Sequence, residues 1–401
     1  SAIRVPPLPP AALSRLFNVV GIPRAFTLAL LNGWHVFGFA VPVTVMPLLA
    51  LDLLGAAQKV SLVFLAVGLI GLVGALTVPM LVEMLGRRRA AIFGTACIVV
   101  AAVLMPLGSV TALITGAAFY TYGYFCLDVS LSVAIMDRVP RRMFSRFEPL
   151  RMCCIGAGFS AGPWLGVQLQ ALGGLWLPFA VMACCAMGVC SYGLLAGFVE
   201  NRPGLGRARA NPLRYMPRFA HQPRMRLAWF MAAARSAWWN VFFLFGPIYC
   251  VQSGYSDQEA GLVVSLGTIP VMLSPLWGRV FARFGLRGLL GIGFAATGIA
   301  TLLLAAASGW PTLAIALMLL ATFTASWIDA GGNALFLRAV RPLERAQMAS
   351  VYATFRDAGR IGPLGVFTVV LIVLPLPAVF VITGAASLVV ATYTRHIPRR
   401  Y

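Results

Sequence analysis

The chain has 401 residues, of which 60% are hydrophobic and only 10% are charged, and its mean hydropathy is +0.88. Soluble domains carry about 25% charged residues, so this composition excludes a water-soluble globular protein. The apolar runs are unbroken and long enough for helices that cross a bilayer, which need about 20 residues. An outer-membrane barrel would instead show alternating segments of about ten residues. The sequence therefore predicts an all-α polytopic membrane protein.

The net charge of +20 comes from 31 basic and 11 acidic residues, and Lys59 is the only lysine. In a soluble protein such a charge would suggest a nucleic-acid partner. Here the arginines lie at the ends of the apolar runs, as the positive-inside rule describes for membrane proteins. We therefore expect the lipid bilayer and a small-molecule substrate as partners, and no nucleic acid.

The eight cysteines lie inside apolar runs, and no spacing of cysteine or histidine suits a metal site. We expect these cysteines to pack as small hydrophobic residues and predict no bound metal. Residues 1–10 contain one arginine and four prolines but no apolar stretch of the signal-peptide type. The sequence therefore gives no indication of a removable signal peptide.

Twelve apolar segments are predicted to cross the membrane, and they are numbered here as spans 1 to 12. Their connections carry nearly all the arginines at one end, the arginine-rich end. At the arginine-poor end the connections contain Asp52, Lys59, Asp257 and Glu259 and almost no other charge. The positive-inside rule therefore predicts that both termini lie in the cytoplasm, and we expect a bacterial-type inner membrane. In chain order the spans cover residues 26–51, 61–84, 90–108, 111–136, 146–171, 175–198, 227–252, 258–281, 288–308, 311–337, 346–371 and 375–394.

An internal repeat divides these spans into a first half, spans 1–6, and a second half, spans 7–12. An offset of about 200 residues aligns His35 with Arg235, Asp128 with Asp329, and Gly162-Pro163 with Gly362-Pro363. Because six spans return the chain to the same side, the halves are parallel repeats about an axis along the membrane normal. The predicted organisation is a cytoplasmic segment 1–25, a six-helix bundle 26–198, a basic cytoplasmic linker 199–226, a second six-helix bundle 227–394 and a cytoplasmic tail 395–401.

The connection between spans 2 and 3 resembles the signature that the major facilitator superfamily carries at this place. It runs from Pro79 through Glu83 to Gly86 and a basic run, with Pro79 in place of the usual first glycine and Glu83 in place of the usual aspartate. Gly86 permits a tight turn, and the resemblance implies that Glu83 pairs with cytoplasmic arginines when the inner gate is shut. The second half repeats the basic run without the acid. The predicted gating residues are Glu83, Gly86, Arg87, Arg88 and Arg283.

Span 5 contains a glycine-proline motif that resembles one found in proton-driven antiporters of the same superfamily. Small residues four positions apart let helices approach closely, and Pro163 removes a backbone hydrogen bond and creates a kink. The partial echo in span 11 favours a symmetric packing role. Phe119 stands where the antiporters place an arginine, which weakens the antiporter interpretation. The motif residues are Gly158, Gly162, Pro163 and Gly166, with Gly362 and Pro363 in the second half.

Ionisable residues inside the spans are the strongest functional signal, because a charge in hydrocarbon costs several kcal/mol unless it is paired or faces water. Asp128 and Asp329 are the candidate proton-coupling sites. Counting helical rise places Asp128 at the depth of Arg151, and Asp329 at the depth of Arg356, so these two pairs are predicted. The alternative is that each pair is a static structural ion pair. His35, Glu148, Asp357 and Arg360 are the further candidates if these aspartates are structural.

The superfamily resemblance implies that helices 1 and 7 line a central cavity. Arg235 is suited to bind a carboxylate or phosphate, and His35 titrates near neutral pH in water. A buried histidine is more often satisfied by a structural neighbour, so both interpretations of His35 stay open. The predicted substrate cavity consists of His35, Asn32, Arg235, Trp238, Asn240 and Tyr124.

Together these features resemble a twelve-helix member of the major facilitator superfamily over essentially the full chain. The resemblance implies a monomeric secondary transporter that works by alternating access, with no catalytic residues, no cofactor and the proton gradient as energy source. No phosphate-binding loop for ATP is present. Efflux of a small organic solute by antiport is slightly favoured. The alternatives are import of a polar or anionic solute by symport, and a non-transporting receptor or assembly factor with the same fold.

Overall fold

The computed structural model describes residues 23–139, 144–197, 212–273, 276–277, 284–331, 334–340, 348 and 351–397. All regular structure within these ranges is helical, and each of the twelve predicted spans contains a helix. The helices are Pro23–Ala40 and Pro42–Leu54 in span 1, Ala57–Leu85 in span 2, Arg87–Leu104 in span 3, Val110–Arg138 in span 4, Phe144–Gly173 in span 5, Trp176–Leu195 in span 6, Pro223–Gln252 in span 7, Asp257–Met272 in span 8, Gly285–Ala306 in span 9, Pro311–Gly331 and Ala334–Ala339 in span 10, Phe355–Val373 in span 11 and Pro377–Tyr393 in span 12.

Eight of these spans are long and apolar enough to cross a membrane by length and composition alone, namely spans 1, 2, 3, 4, 6, 9, 10 and 12. Of the others, the described helix of span 8 has only 16 residues, and spans 5, 7 and 11 carry charged side chains. Spans 5 and 8 contact each other across the halves, and span 11 contacts span 2. The charged spans 5 and 11 therefore lie at the boundary between the two halves.

Two local features account for how the chain enters and leaves its helices. Span 1 is interrupted at Val41, directly before Pro42, because proline cannot donate the backbone hydrogen bond that a continuous helix needs. Gly86 joins span 2 to span 3 with φ of +76°, a conformation that residues with a side chain rarely adopt. The tight turn expected from the sequence at Gly86 is thus present.

The predicted linker 199–226 contains helical structure that the sequence reading did not include. A helix spans Pro212–Ala220, and the helix of span 7 begins at Pro223 rather than at 227. Phe219 is buried against the second half of the molecule. The sequence of this helix contains Arg214 and Arg218, and a segment chosen for its charge did not indicate a helix. Residues 199–211 of the linker lie outside the described ranges.

The two halves share one hydrophobic core toward the arginine-poor end. This large core includes Val45 of span 1, Ile248 of span 7 and Phe367 of span 11, so it joins both halves. The described arginine-rich ends of the second half pack into their own cluster around Met225 and Phe294, which among the described residues contains none from spans 1–6. Within the described ranges no apolar cluster therefore joins the halves at the arginine-rich end, and we call the boundary between them there the crevice.

Hydrogen bonds close the seam between the halves on the other side. In the contact of span 2 with span 11, the Ser61 hydroxyl donates to the Leu364 carbonyl at 3.1 Å, and Thr368 donates to Ser61 at 3.2 Å. In the contact of span 5 with span 8, the Trp164 amide donates to the Ser265 hydroxyl at 2.9 Å. These bonds lie between the arginine-poor end and mid-depth, in agreement with the shared core there.

An arginine of span 11 also crosses this seam. Arg360 donates from Nη2 to the Gly68 carbonyl of span 2 at 3.3 Å, and its Nη2 lies 3.7 Å from Asp357 of its own helix. A side chain at Gly71 would collide with the Arg360 guanidinium. The glycines of span 2 therefore make the space that a charged side chain from the opposite half occupies.

The glycine-proline motif packs closely in the first half only. Gly158 lies against Gly33 of span 1, where an added Cβ would come within 2.6 Å of the Gly33 carbonyl oxygen, and Gly166 lies against Val41. In span 11, Gly359 packs on span 7, but an added Cβ at Gly362 would meet nothing within 4 Å. The expected symmetric packing role is therefore wrong for Gly362, because span 11 packs against span 7 at Gly359, about one helical turn before Gly362.

Candidate transport site

An ion pair between spans 7 and 10 lies at the centre of the second half. Asp329 accepts a hydrogen bond at Oδ2 from the Trp239 indole at 2.8 Å, and its Oδ1 lies 3.5 Å from Nε of Arg235. The side chains of Arg235 and Asp329 are 15% and 20% exposed. The carboxylate is thus held by two donors, one charged and one neutral, in a partly enclosed place.

Helical rise places this pair deep in the molecule. Arg235 lies 12 residues after the first residue of its helix, Pro223, which corresponds to about 18 Å from the arginine-rich end. Asp329 lies 18 residues after Pro311, or about 27 Å from the arginine-poor end. The pair is therefore far from both ends of the spans, where a charge is kept only if it is paired or used.

The partner of Asp329 differs from the predicted one. The sequence pairs Asp329 with Arg356, whereas the structure pairs it with Arg235, and Arg356 instead lies with its guanidinium carbon 5.7 Å from the ring centre of Phe355. Depth alone matched Asp329 with Arg356, but depth gives no direction around the helix axis. Span 7, not span 11, presents its arginine to Asp329.

Both arginines meet around Phe355. The guanidinium carbon of Arg235 lies 5.8 Å from the same ring centre. Both guanidinium groups therefore make cation–π contacts with Phe355. Tyr352 packs against Phe355 with ring centres 5.1 Å apart and stacks on Phe336 at 4.2 Å. Both guanidinium groups therefore lie beside this aromatic group.

A row of aromatic rings separates the ion pair from the arginine-poor end. Trp239 stacks on Phe243 with ring centres 5.6 Å apart, and Phe243 contacts Phe159 of span 5 at 5.1 Å. Phe159 in turn lies 6.1 Å from Phe39 of span 1. The row crosses from one half to the other, so it covers the site on the side where the halves meet.

The equivalent place in the first half contains a second polar group. Arg151 donates from Nη1 to Oδ1 of the buried Asn32 at 3.3 Å, so the hydrogen bond described for Arg151 is with Asn32 and not with the predicted partner Asp128. Asp128 is exposed. As at Asp329, equal depth did not determine which way the side chains point. The side chain of Glu148 lies outside the described residues.

His35 is enclosed by the first half. It is 3% exposed, and among the described residues its Nδ1 has no hydrogen-bond partner. The Tyr124 ring lies 4.7 Å from the imidazole, and the Tyr124 hydroxyl donates to the His35 carbonyl at 2.9 Å. Tyr124 therefore holds span 1 against span 4 and is buried, which contradicts its predicted place at the cavity surface.

Trp238 and Asn240 were also predicted to line the cavity, and they are the sequence neighbours of Trp239. Trp238 is 6% exposed and donates to the Thr301 hydroxyl of span 9 at 3.1 Å, so it is a core residue of the second half. Asn240 donates to the Ser236 carbonyl of its own helix at 2.7 Å. The residue that the prediction missed is Trp239, and its position four residues after Arg235, on the same helix face, is the signal that could have found it.

The predicted gating residues are only partly described. Gly86 forms the turn, Arg87 is half-buried and Arg88 is exposed. The side chains of Pro79 and Glu83 and the whole of Arg283 lie outside the described residues. Within the described ranges, no cluster of three histidine, cysteine, aspartate or glutamate side chains could hold a metal ion.

Sequence comparison assigns both halves to transporter families. Residues 227–400 match the family model described as Major Facilitator Superfamily, and residues 22–126 match the model described as Sugar (and other) transporter. The chain is a member of the major facilitator superfamily. No curated protein sequence matches significantly.

Solved transporter structures share the fold of this superfamily member. The nucleoside transporter NupG superposes with a TM-score of 0.72 at 15% identity, covering 94% of this chain and 99% of that chain. A POT family transporter in complex with 5-aminolevulinic acid gives 0.77 at 12% identity, covering 93% and 96%. A peptide transporter POT in complex with sulfate gives 0.71 at 15% identity, covering 95% of each. The predicted all-α, twelve-helix fold is confirmed. The protein is therefore a multi-pass membrane protein and a secondary transporter rather than an enzyme.

Proposed function

We propose that this transporter moves a small organic solute by alternating access, and that protonation of Asp329 couples the solute to a proton gradient. The observation that carries the proposal is the ion pair of Asp329 with Arg235, supplemented by the hydrogen bond from Trp239. A proton on the carboxylate removes its charge and therefore its attraction for the guanidinium. Arg235 is then released and becomes able to bind a group of the solute.

The crevice supports an inward-facing state. The halves share a core toward the arginine-poor end, and within the described ranges no apolar cluster joins them at the arginine-rich end, which the positive-inside rule assigns to the cytoplasm. Rocking of one half against the other would break the hydrogen bonds of Ser61 and Trp164 and open the opposite side. The ion pair would then exchange protons with the external solution.

The arrangement favours symport over the antiport that the glycine-proline motif suggests. A solute that binds the released Arg235 binds better when Asp329 carries a proton, so proton and solute are taken up together. A cationic solute would instead compete with the proton for Asp329, and the two would move in opposite directions. The arginine in the pair therefore points to import of a polar or anionic solute.

The proposal is tested by proton flux into liposomes that contain the purified protein and an enclosed pH-sensitive dye. The wild type is challenged with organic anions, amino acids, sugars and amphipathic cations, and it is compared with Asp329→Asn and Asp128→Asn. We expect an anion or polar solute to bring protons inward with it, and Asp329→Asn to abolish this movement. Unchanged proton movement in Asp329→Asn would refute the role of Asp329. Proton movement opposite to the solute would establish antiport.

A further inference from the structure

We propose that the solute carries an oxyanion group, a carboxylate or a phosphate, and that Arg235 and Arg356 bind this group together. This inference rests on the proposed transport function of the same site. It adds a chemical class for the solute and assigns Arg356 as a specificity-determining residue.

The two guanidinium groups lie beside one aromatic ring. Their central carbons lie 5.8 Å and 5.7 Å from the ring centre of Phe355. Arginine side chains are long, and their planar groups bind carboxylate and phosphate through paired hydrogen bonds. We therefore infer that changes of rotamer let both groups reach one oxyanion beside Phe355.

The charges around Phe355 do not balance. Asp329 pairs with Arg235. The acid next in sequence to Arg356 is Asp357, and it lies 3.7 Å from Arg360 instead. Within the described ranges, Arg356 has no acidic side chain at ion-pair distance, and its side chain is exposed. One positive charge is therefore left at the site, and protonation of Asp329 would leave two.

The direction of Arg356 places this charge in the crevice rather than in lipid. Arg360, four residues further along the same helix, reaches Gly68 of the opposite half. Residues four apart lie on the same face of a helix, so Arg356 also faces the first half. Beyond the pair, the Trp239 and Phe243 rings close the path toward the arginine-poor end. An anion that enters from the arginine-rich end therefore meets Arg356 and Arg235 before the aromatic row.

A neutral or cationic solute gains nothing from this surplus charge. An oxyanion compensates it and forms charge-assisted hydrogen bonds, which are stronger than those between neutral groups. Discrimination between an oxyanion and a neutral molecule of the same shape is thus the property that Arg356 confers.

The test is calorimetric binding to the full-length protein in detergent, with three matched probe pairs. The pairs are benzoate with benzamide, butyrate with butyramide, and methyl phosphate with its neutral trimethyl ester. We expect the anion of at least one pair to bind at least about tenfold more tightly than its neutral partner. Binding of carboxylates, phosphates or both identifies which oxyanion the site takes.

Three variants assign the preference to Arg356. Arg356→Gln should weaken binding of the anion by at least about tenfold and leave the neutral partner within about twofold. Arg356→Lys should recover part of the loss. This variant also provides the test if Arg356→Gln does not fold. Arg395→Gln removes an exposed arginine outside the site and should change neither affinity.

The inference is overturned if no anion of the panel binds, if the anions bind no better than their neutral partners, or if Arg356→Gln leaves anion binding unchanged. This outcome is separable from failure of the proposed proton coupling. Arg356-dependent binding with unchanged proton movement in Asp329→Asn would leave the oxyanion site standing and refute the coupling role. Loss of proton movement in Asp329→Asn without any anion preference would support the coupling role and refute the oxyanion site.

Discussion

Trp238 and Trp239 are adjacent in the sequence but have different roles in the structure. The Trp238 indole donates to Thr301 inside the second half, whereas the Trp239 indole donates to Asp329. One residue corresponds to a rotation of about 100° around a helix axis, so the two side chains point to different surroundings. Sequence reading by depth cannot separate them. The same limit explains why Asp329 was matched with Arg356 rather than with Arg235.

This difference predicts that replacing tryptophan by phenylalanine lowers transport at position 239 but not at position 238. Trp239→Phe keeps an aromatic ring against Phe243 but removes the hydrogen bond to the Asp329 carboxylate, and a hydrogen bond to a charged group is worth about 1.5–3 kcal/mol. We expect the solute-dependent proton flux of the folded protein to fall at least about fivefold, because the Asp329 carboxylate loses a donor that holds it.

The matched control is Trp238→Phe, which leaves the Thr301 hydroxyl without its indole donor in the core. This variant should lower stability by about 1 kcal/mol and leave the flux of the folded protein unchanged. Flux assays and thermal unfolding of both proteins in the same detergent make the comparison. Wild-type flux in Trp239→Phe would contradict the assignment of Trp239 to the site.

Among the elements, spans 5 and 11 carry similar glycine-proline sequences and pack differently. Gly166 of span 5 lies directly against the Val41 carbonyl of span 1, but an added Cβ at Gly365 of span 11 would meet nothing within 4 Å. The repeat predicted two equivalent helices, and the sequence could not reveal that only one of them packs closely along the motif. Close approach depends on the relative position of two helices, which a single-helix motif does not specify.

We therefore predict that alanine substitutions at these two glycines change stability in opposite directions. Gly166→Ala forces a methyl group into the Val41 backbone, and such overpacking costs about 1–3 kcal/mol. Gly365→Ala adds a better helix former in open space and should stabilise the helix by up to about 1 kcal/mol. Apparent unfolding temperatures in one detergent provide the measurement. Equal effects of both substitutions would contradict the described packing asymmetry.

For the whole molecule, the sequence determined the architecture more fully than the site. Apolar length predicted all twelve helices, and the arginine distribution gave each helix its orientation relative to the others. The end at which the two halves touch is decided by contacts such as that of Ser61 with Thr368. These residues are more than 300 positions apart in the sequence. A polar pair of this kind has no signature in the sequence. The state of the transporter could therefore be read only from the structure.

A cross-link at the seam tests whether this closure belongs to the transport cycle. The hydroxyl oxygens of Ser61 and Thr368 are 3.2 Å apart and belong to opposite halves. In a background without native cysteines, Ser61→Cys with Thr368→Cys should form a disulfide that locks the arginine-poor end and stops transport. Addition of a reductant should restore transport. Continued transport in the oxidised protein would contradict alternating access at this seam.

The control pair has the same spacing within one half. The hydroxyl oxygens of Thr297 and Thr324, in spans 9 and 10, lie 3.1 Å apart. Thr297→Cys with Thr324→Cys should cross-link equally well and leave transport intact, since each half moves as a unit. The comparison separates an effect on rocking from a general effect of oxidation.

The central claim is that Asp329 couples solute movement to protons, and it is tested most directly by comparing two modes of transport in Asp329→Asn. Once a transported solute is identified, exchange of labelled against unlabelled solute needs only alternating access, whereas accumulation against a gradient also needs proton coupling. We predict that Asp329→Asn retains exchange and loses proton-driven accumulation, because asparagine cannot take up and release the proton. Accumulation at the wild-type level in Asp329→Asn would contradict the account.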